Sequence, residues 1–272
     1  MVTGASVGVN CPPVSTQCPD AYGCVGAGPN GTTICPDFTI KRHDTKPPFK
    51  VAISDCDGPL DLTEKHLIAE VNMWAKGKLK TAITKADTYF GLADNIGFNQ
   101  VMVGDIIVTD RVRLPEHMLV TAFDETNYLI QVQRGYNGTF IDNWSKGTSL
   151  RIFRIMNGPA ELETVLDDIR QVDGTIAEDQ LIESLLVYQW NQNSTCVPGC
   201  FWLEFKLLKM KESAVSMLSN GISITPSFTP STFSATHFGC ILGDGVEWVR
   251  RFPADGEGFF IHIVDSPTAE LP

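Results

Sequence analysis

The sequence predicts a mainly β protein, and three observations carry that expectation. Phe38 and Ile40 alternate with Thr39 and Lys41, as Phe49, Val51 and Ile53 alternate with Lys50, Ala52 and Ser54, the period of half-buried strands. Between Val101 and Ile155, short strand patterns are separated by Gly-, Asp- and Asn-containing turns at roughly ten-residue intervals, the spacing of a small barrel or sandwich. Leu185–Trp190 and Phe201–Met210 are rich in aromatic residues and flank a polar segment ending at Gly199, which reads as a hairpin.

Taken in chain order, residues 1–37 read as an extended Cys-, Gly- and Pro-rich arm. It has few large apolar side chains to bury, with no Leu, Phe or Trp. Four thiols there, Cys11, Cys18, Cys24 and Cys35, are chemically compatible with two disulfide bridges, with a four-thiolate zinc site, or with free cysteines. Residues 38–85 then supply two strands joined by a polar turn, a break at Asp57-Gly58-Pro59, and a long strand over 66–80. In that strand Leu67, Ala69, Val71 and Met73 alternate with Ile68, Glu70, Asn72 and Trp74.

Residues 86–156 read as an inserted β module, with strands over 101–109, 117–123, 128–133 and 149–155. Its run Arg134-Gly135-Tyr136-Asn137-Gly138-Thr139 is a strand end entering a turn: glycine and asparagine tolerate positive φ and Tyr136 packs over the loop. Arg134 beside that turn is expected to be a surface ion-pair partner. Residues 157–211 return to the first domain. Leu162, Val165, Leu166 and Ile169 fit a helical stripe, and periodicity leaves strand and helix open there. Cys196-Val197-Pro198-Gly199-Cys200 permits a strained disulfide between Cys196 and Cys200 or two separate thiols. Residues 212–240 read as a short helix, Glu212–Asn220, and a Ser/Thr/Pro-rich linker; residues 241–272 read as a terminal hairpin over 245–252 and 258–264.

Composition narrows the function classes. A net charge of −11 across 272 residues, with a pI near 4.8, argues against a surface built to coat nucleic acid. The apolar runs are too short for a membrane helix, and Met1–Asn10 lacks the basic start and apolar centre of a secretion signal, so synthesis in a cytoplasm is expected. The histidines have no zinc-hydrolase spacing, and no nucleophile elbow or phosphate-binding loop is present. Asp55-Cys56-Asp57-Gly58 lacks the later ligands of a calcium loop. Asp167-Asp168 and Glu178-Asp179 read as solvated face residues rather than glycosidase carboxylates. The expectation is of no enzyme and no cofactor.

The segment 38–63, closing in Asp57-Gly58-Pro59-Leu60-Asp61-Leu62-Thr63, resembles the opening of the immunoglobulin-like N-terminal domain of phage baseplate upper proteins. Together with the aromatic strands of 160–210, the resemblance covers residues 38–80 and 160–210, on strand and turn signatures and on no functional residue. It implies an immunoglobulin-like β-sandwich split by the inserted module. It also implies a virion structural protein, a tail, baseplate or fibre-attachment adaptor assembled in the host cytoplasm, with copies of itself, as trimer or hexamer, and other virion proteins as partners. Neither nucleic acid nor membrane is an expected partner. The alternative is a host-glycan-binding β-sandwich, for which Trp144 and Tyr136 would form an exposed aromatic platform.

Overall fold

The computed structural model describes residues 5–6, 26–27, 33–34, 36–55, 58–62, 66–93, 100–110, 114–172, 175–211, 246–254 and 258–265. The four N-terminal cysteines, Cys56, Cys240, and the expected helix and linker over 212–240 lie outside these residues. The described chain is mainly β, dominated by one large mixed sheet.

The first strands are short: β1 (Ala5–Ser6), β2 (Gly26–Ala27), β3 (Thr33–Ile34), β4 (Phe38–Lys41), β5 (Phe49–Ala52), β6 (Ser54–Asp55) and β7 (Gly58–Pro59). Next come β8 (Leu67–Lys78), β9 (Tyr89–Phe90), β10 (Ile106–Thr109), β11 (His117–Asp124) and β12 (Leu129–Gln133). The long elements follow, β13 (Ser149–Arg170), β14 (Ile176–Tyr188) and β15 (Gly199–Met210), then β16 (Val246–Phe252) and β17 (Phe259–Val264). The main path of the sheet runs β4-β17-β15-β8-β13-β10-β11-β12-β9; β5 and β14 branch from it through β13, and β16 lies on β15.

The aromatic core explains this arrangement. Phe49 of β5 stacks on Phe205 of β15 at 6.0 Å between centroids and meets Phe38 and Phe259 edge-on at 5.3 and 5.4 Å. Thus β5 and β14 face β4, β17 and β15 across an apolar layer. Val51, Leu186, Leu203, Phe205, Leu207 and Ile261 are wholly buried there, each worth roughly 1.5–3 kcal/mol of transfer free energy. Strand β13 serves both layers: residues 149–160 pair with β8 and residues 161–170 with β14, with register shifts after Phe153 and Ile155 where the chain bends.

The same apolar core continues into the space between β8, β10, β11, β12 and the start of β13, around Ile107, Met118, Ile130 and Ile152. Pairing passes from β13 through β10, β11 and β12 to β9, and the Leu79–Leu92 bridge then returns it to the end of β8. Hydrogen bonds from Lys80 N to Gly91 O, 3.0 Å, and from Ala93 N to Lys78 O, 2.8 Å, complete that ring.

At three places where two strands are joined by a short segment, the observed pairing is not between those two strands. The strands at 38–41 and 49–52 do not pair with each other: β4 runs parallel to β17, and β5 pairs with β14 and β1. Nor do β14 and β15 form a hairpin. The Asn191–Gly199 segment carries the chain from one layer to the other, so Leu186 and Phe205 enter the same core from opposite sides. Finally, β16 and β17 do not fold back on each other. Both run antiparallel to β15, β16 beside Phe205–Met210 and β17 beside Gly199–Leu203, as one broken strand interrupted at Pro253, which has no N–H to offer a ladder. Residues 162–169, open between helix and strand, are strand.

Candidate functional site

Antiparallel register places polar residues of neighbouring strands on the face of the sheet opposite the aromatic core. Glu70 of β8 stands opposite Lys206 of β15, which stands opposite Arg251 of β16; one row away, Asn72 faces Glu204. All of these except Arg251 are buried. Asn72, Glu204, Lys206 and Arg251 border a cleft of about 780 Å³, including its open mouth, whose other walls include Phe153, Met156, Asn157, His117 and Arg151.

The cleft is cross-linked by its own side chains. Asn72 Nδ2 donates to Glu204 Oε2 at 3.3 Å, Lys206 Nζ donates to Asn157 Oδ1 at 3.1 Å, and Arg251 Nε lies 3.7 Å from Glu204 Oε1. Asn157 reaches the cleft through the bulge in β13, where its φ of +53° is one that asparagine tolerates better than most residues. Its backbone N–H donates to Asn72 Oδ1 at 2.8 Å. The following Gly158 has no room for a Cβ, which would lie 2.5 Å from Ile155 Cγ2.

Burial pushes the Lys206 ammonium down to about 8; Arg251 acts in the same direction, while Glu204 and Glu70 oppose the shift. Burial also raises the Glu70 carboxyl, against the pull of Lys206, and Glu70 Oε2 has no hydrogen-bond partner. His117 is held below the usual imidazole range by burial, with Nδ1 unpartnered. The lysine is close to its neutral form at mildly alkaline pH. What the ladder does is tie β8, β13, β15 and β16 in one register.

A second polar cluster stands in the ring of strands. Arg134 is buried, not a surface partner: Nε and Nη2 donate to the two oxygens of Glu116 at 2.6 and 2.8 Å. Nη1 donates to Thr84 O and Asp87 O at 2.8 and 2.9 Å, and Nη2 to Asp142 O at 2.7 Å. All of the guanidinium's donor capacity is therefore used. Trp144 is also buried, with Nε1 donating to Glu116 Oε2 at 2.6 Å, and Tyr136 is half-buried. The exposed aromatic platform expected of Trp144 and Tyr136 does not exist. The indole is held inside as one of the donors to a buried carboxylate.

A third pair lies where the ring adjoins β15. Arg154 Nε and Nη2 donate to Asp105 at 2.7 and 3.2 Å, and Nη2 donates also to Gln100 O at 2.7 Å; the guanidinium lies 5.5 Å from the Phe201 ring centroid. Burial raises the Asp105 carboxyl, opposed first by its hydrogen bond to Arg154. Cys196, half-buried beside this pair, carries a free thiol, whereas Cys200 is disulfide-bonded. The two cysteines are therefore not joined, because residues 196–200 leave the interlayer turn and enter β15 with separate surroundings.

Among the described residues no group of three or more His, Cys, Asp or Glu side chains is placed to hold a metal ion, and no helix is long and apolar enough to cross a membrane. Glu116 and Lys206 went unnoticed in the sequence, since only register brings their partners beside them; alternating charged residues inside the apolar β15 pattern were the available signal. Comparison with protein-family models finds no match, and comparison with curated proteins finds no significant relative.

Proposed function

We propose that the chain is a structural component of a phage particle, a tail, baseplate or fibre-attachment adaptor that acts through contacts between subunits and catalyses no reaction. On this reading the two facing layers form an immunoglobulin-like sandwich, and the ring of strands between β8 and β13 is a small barrel inserted into it. Support comes from the strand and turn signatures of residues 38–80 and 160–210 and, above all, from one feature of the fold. Beyond Thr164 and Glu183, β13 and β14 run on together as a two-stranded ribbon whose side chains are mostly exposed, with Leu166, Ile169 and Ile176 at 52%, 46% and 63% exposure. An isolated two-stranded ribbon is marginally stable in water. One that holds apolar residues outward is built for a partner.

The partners expected are further copies of the chain, as trimer or hexamer, and neighbouring virion proteins, assembled in the host cytoplasm without nucleic acid or membrane. The test is quantitative mass spectrometry of purified phage particles, with sedimentation of the isolated chain. Recovery at a fixed stoichiometry that matches a symmetric ring supports the reading. Absence from particles overturns it.

A further inference from the structure

The ribbon forms the far end of β13 and a lysine-rich surface at the end of β8 adjoins its start, and we propose that the ribbon of one copy docks on the lysine-rich end of the next. This inference rests on the assembly role above and specifies its contact. Residues 164–183 carry six carboxylates against one arginine, Arg170. Asp167, Asp168, Glu178 and Asp179 are exposed there, beside the outward apolar residues Leu166, Ile169 and Ile176.

The complementary surface begins where β8 ends. Residues 76–85 hold four lysines and no acidic residue, on a chain whose net charge is −11. Lys76, Lys78, Lys80 and Lys85 are all exposed. Aromatic surface adjoins them: Tyr89 and Tyr128 are 48% and 51% exposed, and Gly91 lies between the Lys80 side chain and the Tyr128 carbonyl, so that both border the same spot. An acidic, apolar ribbon thus has a basic, aromatic counterpart.

The two cannot meet within one molecule. Register sets Lys78 opposite Ser149 at the start of β13, whereas the ribbon is its far end. At about 3.3 Å per residue, the stretch from Ser149 to Ile169 has a contour of roughly 65 Å, and β8 runs antiparallel along its first half, holding the two ends apart. A contact between unlike surfaces on successive copies is head-to-tail and closes into a ring when the rotation permits. Opposite charge steers and orients such docking, and the apolar residues supply the buried contact.

The test is a charge swap read by sedimentation velocity and light scattering. One variant carries Asp167→Lys, Asp168→Lys and Glu178→Lys; the other carries Lys76→Glu, Lys78→Glu and Lys80→Glu. All six side chains are exposed, and unchanged far-ultraviolet circular dichroism confirms folding. Each variant alone is expected to need at least about tenfold higher concentration to assemble than the parent, and an equimolar mixture of the two is expected to assemble again. Parent assemblies that both variants reproduce unchanged would overturn this contact and leave self-assembly standing. A parent chain monomeric at every concentration would overturn the contact too; its recovery from particles would then show whether the structural role survives.

Discussion

The Glu116–Arg134 pair and the Glu70–Lys206 row both place opposite charges in the interior, yet they are unlike in a way that separates stable ion pairing from costly burial. Around Arg134 every donor has an acceptor, and the carboxylate of Glu116 receives the indole of Trp144 and the backbone N–H of Gly135 and Asp142 as well. Around Lys206 the ammonium loses proton affinity to burial and Glu70 Oε2 is unpartnered. Mutual attraction repays desolvation only when the remaining lone pairs and protons are also satisfied. The first cluster meets that condition, and the second meets it in part.

The largest expected effect follows from breaking the satisfied pair. Arg134→Ala leaves Glu116 buried without a counter-charge and three backbone carbonyls, of Thr84, Asp87 and Asp142, without their donor. The cost is expected at about 3–5 kcal/mol in urea denaturation. Replacing both members, as Glu116→Gln with Arg134→Met, is expected to recover part of that loss; a double variant as unstable as the sum of the singles would show that the charges act independently.

The partly satisfied row should instead reveal itself through pH. Lys206 titrates near 8 in the folded chain against 10.5 for an ordinary lysine. Between those values the unfolded chain holds the proton that the folded chain has released, so stability rises with pH across that window. The shift corresponds to roughly 3 kcal/mol, a penalty present in full below pH 8 and gone above about 10.5. Lys206→Met is expected to flatten the rise in urea midpoints measured from pH 8 to 10.5. An identical slope in the variant would assign the titration to other groups.

Trp144→Phe is a milder test of the first cluster. It retains most of the buried ring and removes one donor from Glu116, so a loss of about 1–3 kcal/mol is expected, below that of Arg134→Ala. Equal losses would mean that the indole, and not the guanidinium, governs the carboxylate's burial.

The same contrast shows what was legible in the sequence. Strands were, because alternation is local: β8, β11 and β12 stand close to the strands expected over 66–80, 117–123 and 128–133, and β10 forms the last four residues of the one expected over 101–109. Their partners were not. β4 with β5, β14 with β15, and β16 with β17 each show two apolar strands joined by a polar turn, and that pattern is the same whether the chain folds back beside itself or crosses to the other layer. The choice was made by distant residues: Phe49 stacks on Phe205, and β15 pairs along its length with β8. Arg134 looked superficial for the same reason. Glu116 lies 18 residues away and Trp144 lies in another turn, and only closure of the strand ring brings all three together.

The smallest expected effect probes the bulge that brings Asn157 against Lys206. Asn157→Asp keeps the size of the side chain and a short residue suited to the φ of +53°, but it exchanges an amide oxygen 3.1 Å from Nζ for a carboxylate. The added negative charge favours the ammonium, so the lysine's titration moves up from about 8 toward 10.5 and the alkaline rise in stability starts later and is shallower. At neutral pH the change should stay within about 1 kcal/mol, since the new charge must itself be desolvated as it gains its partner. An unmoved titration would place the ammonium beyond the reach of Asn157, and the bulge would then serve the backbone alone, through the hydrogen bond from Asn157 N to Asn72 Oδ1.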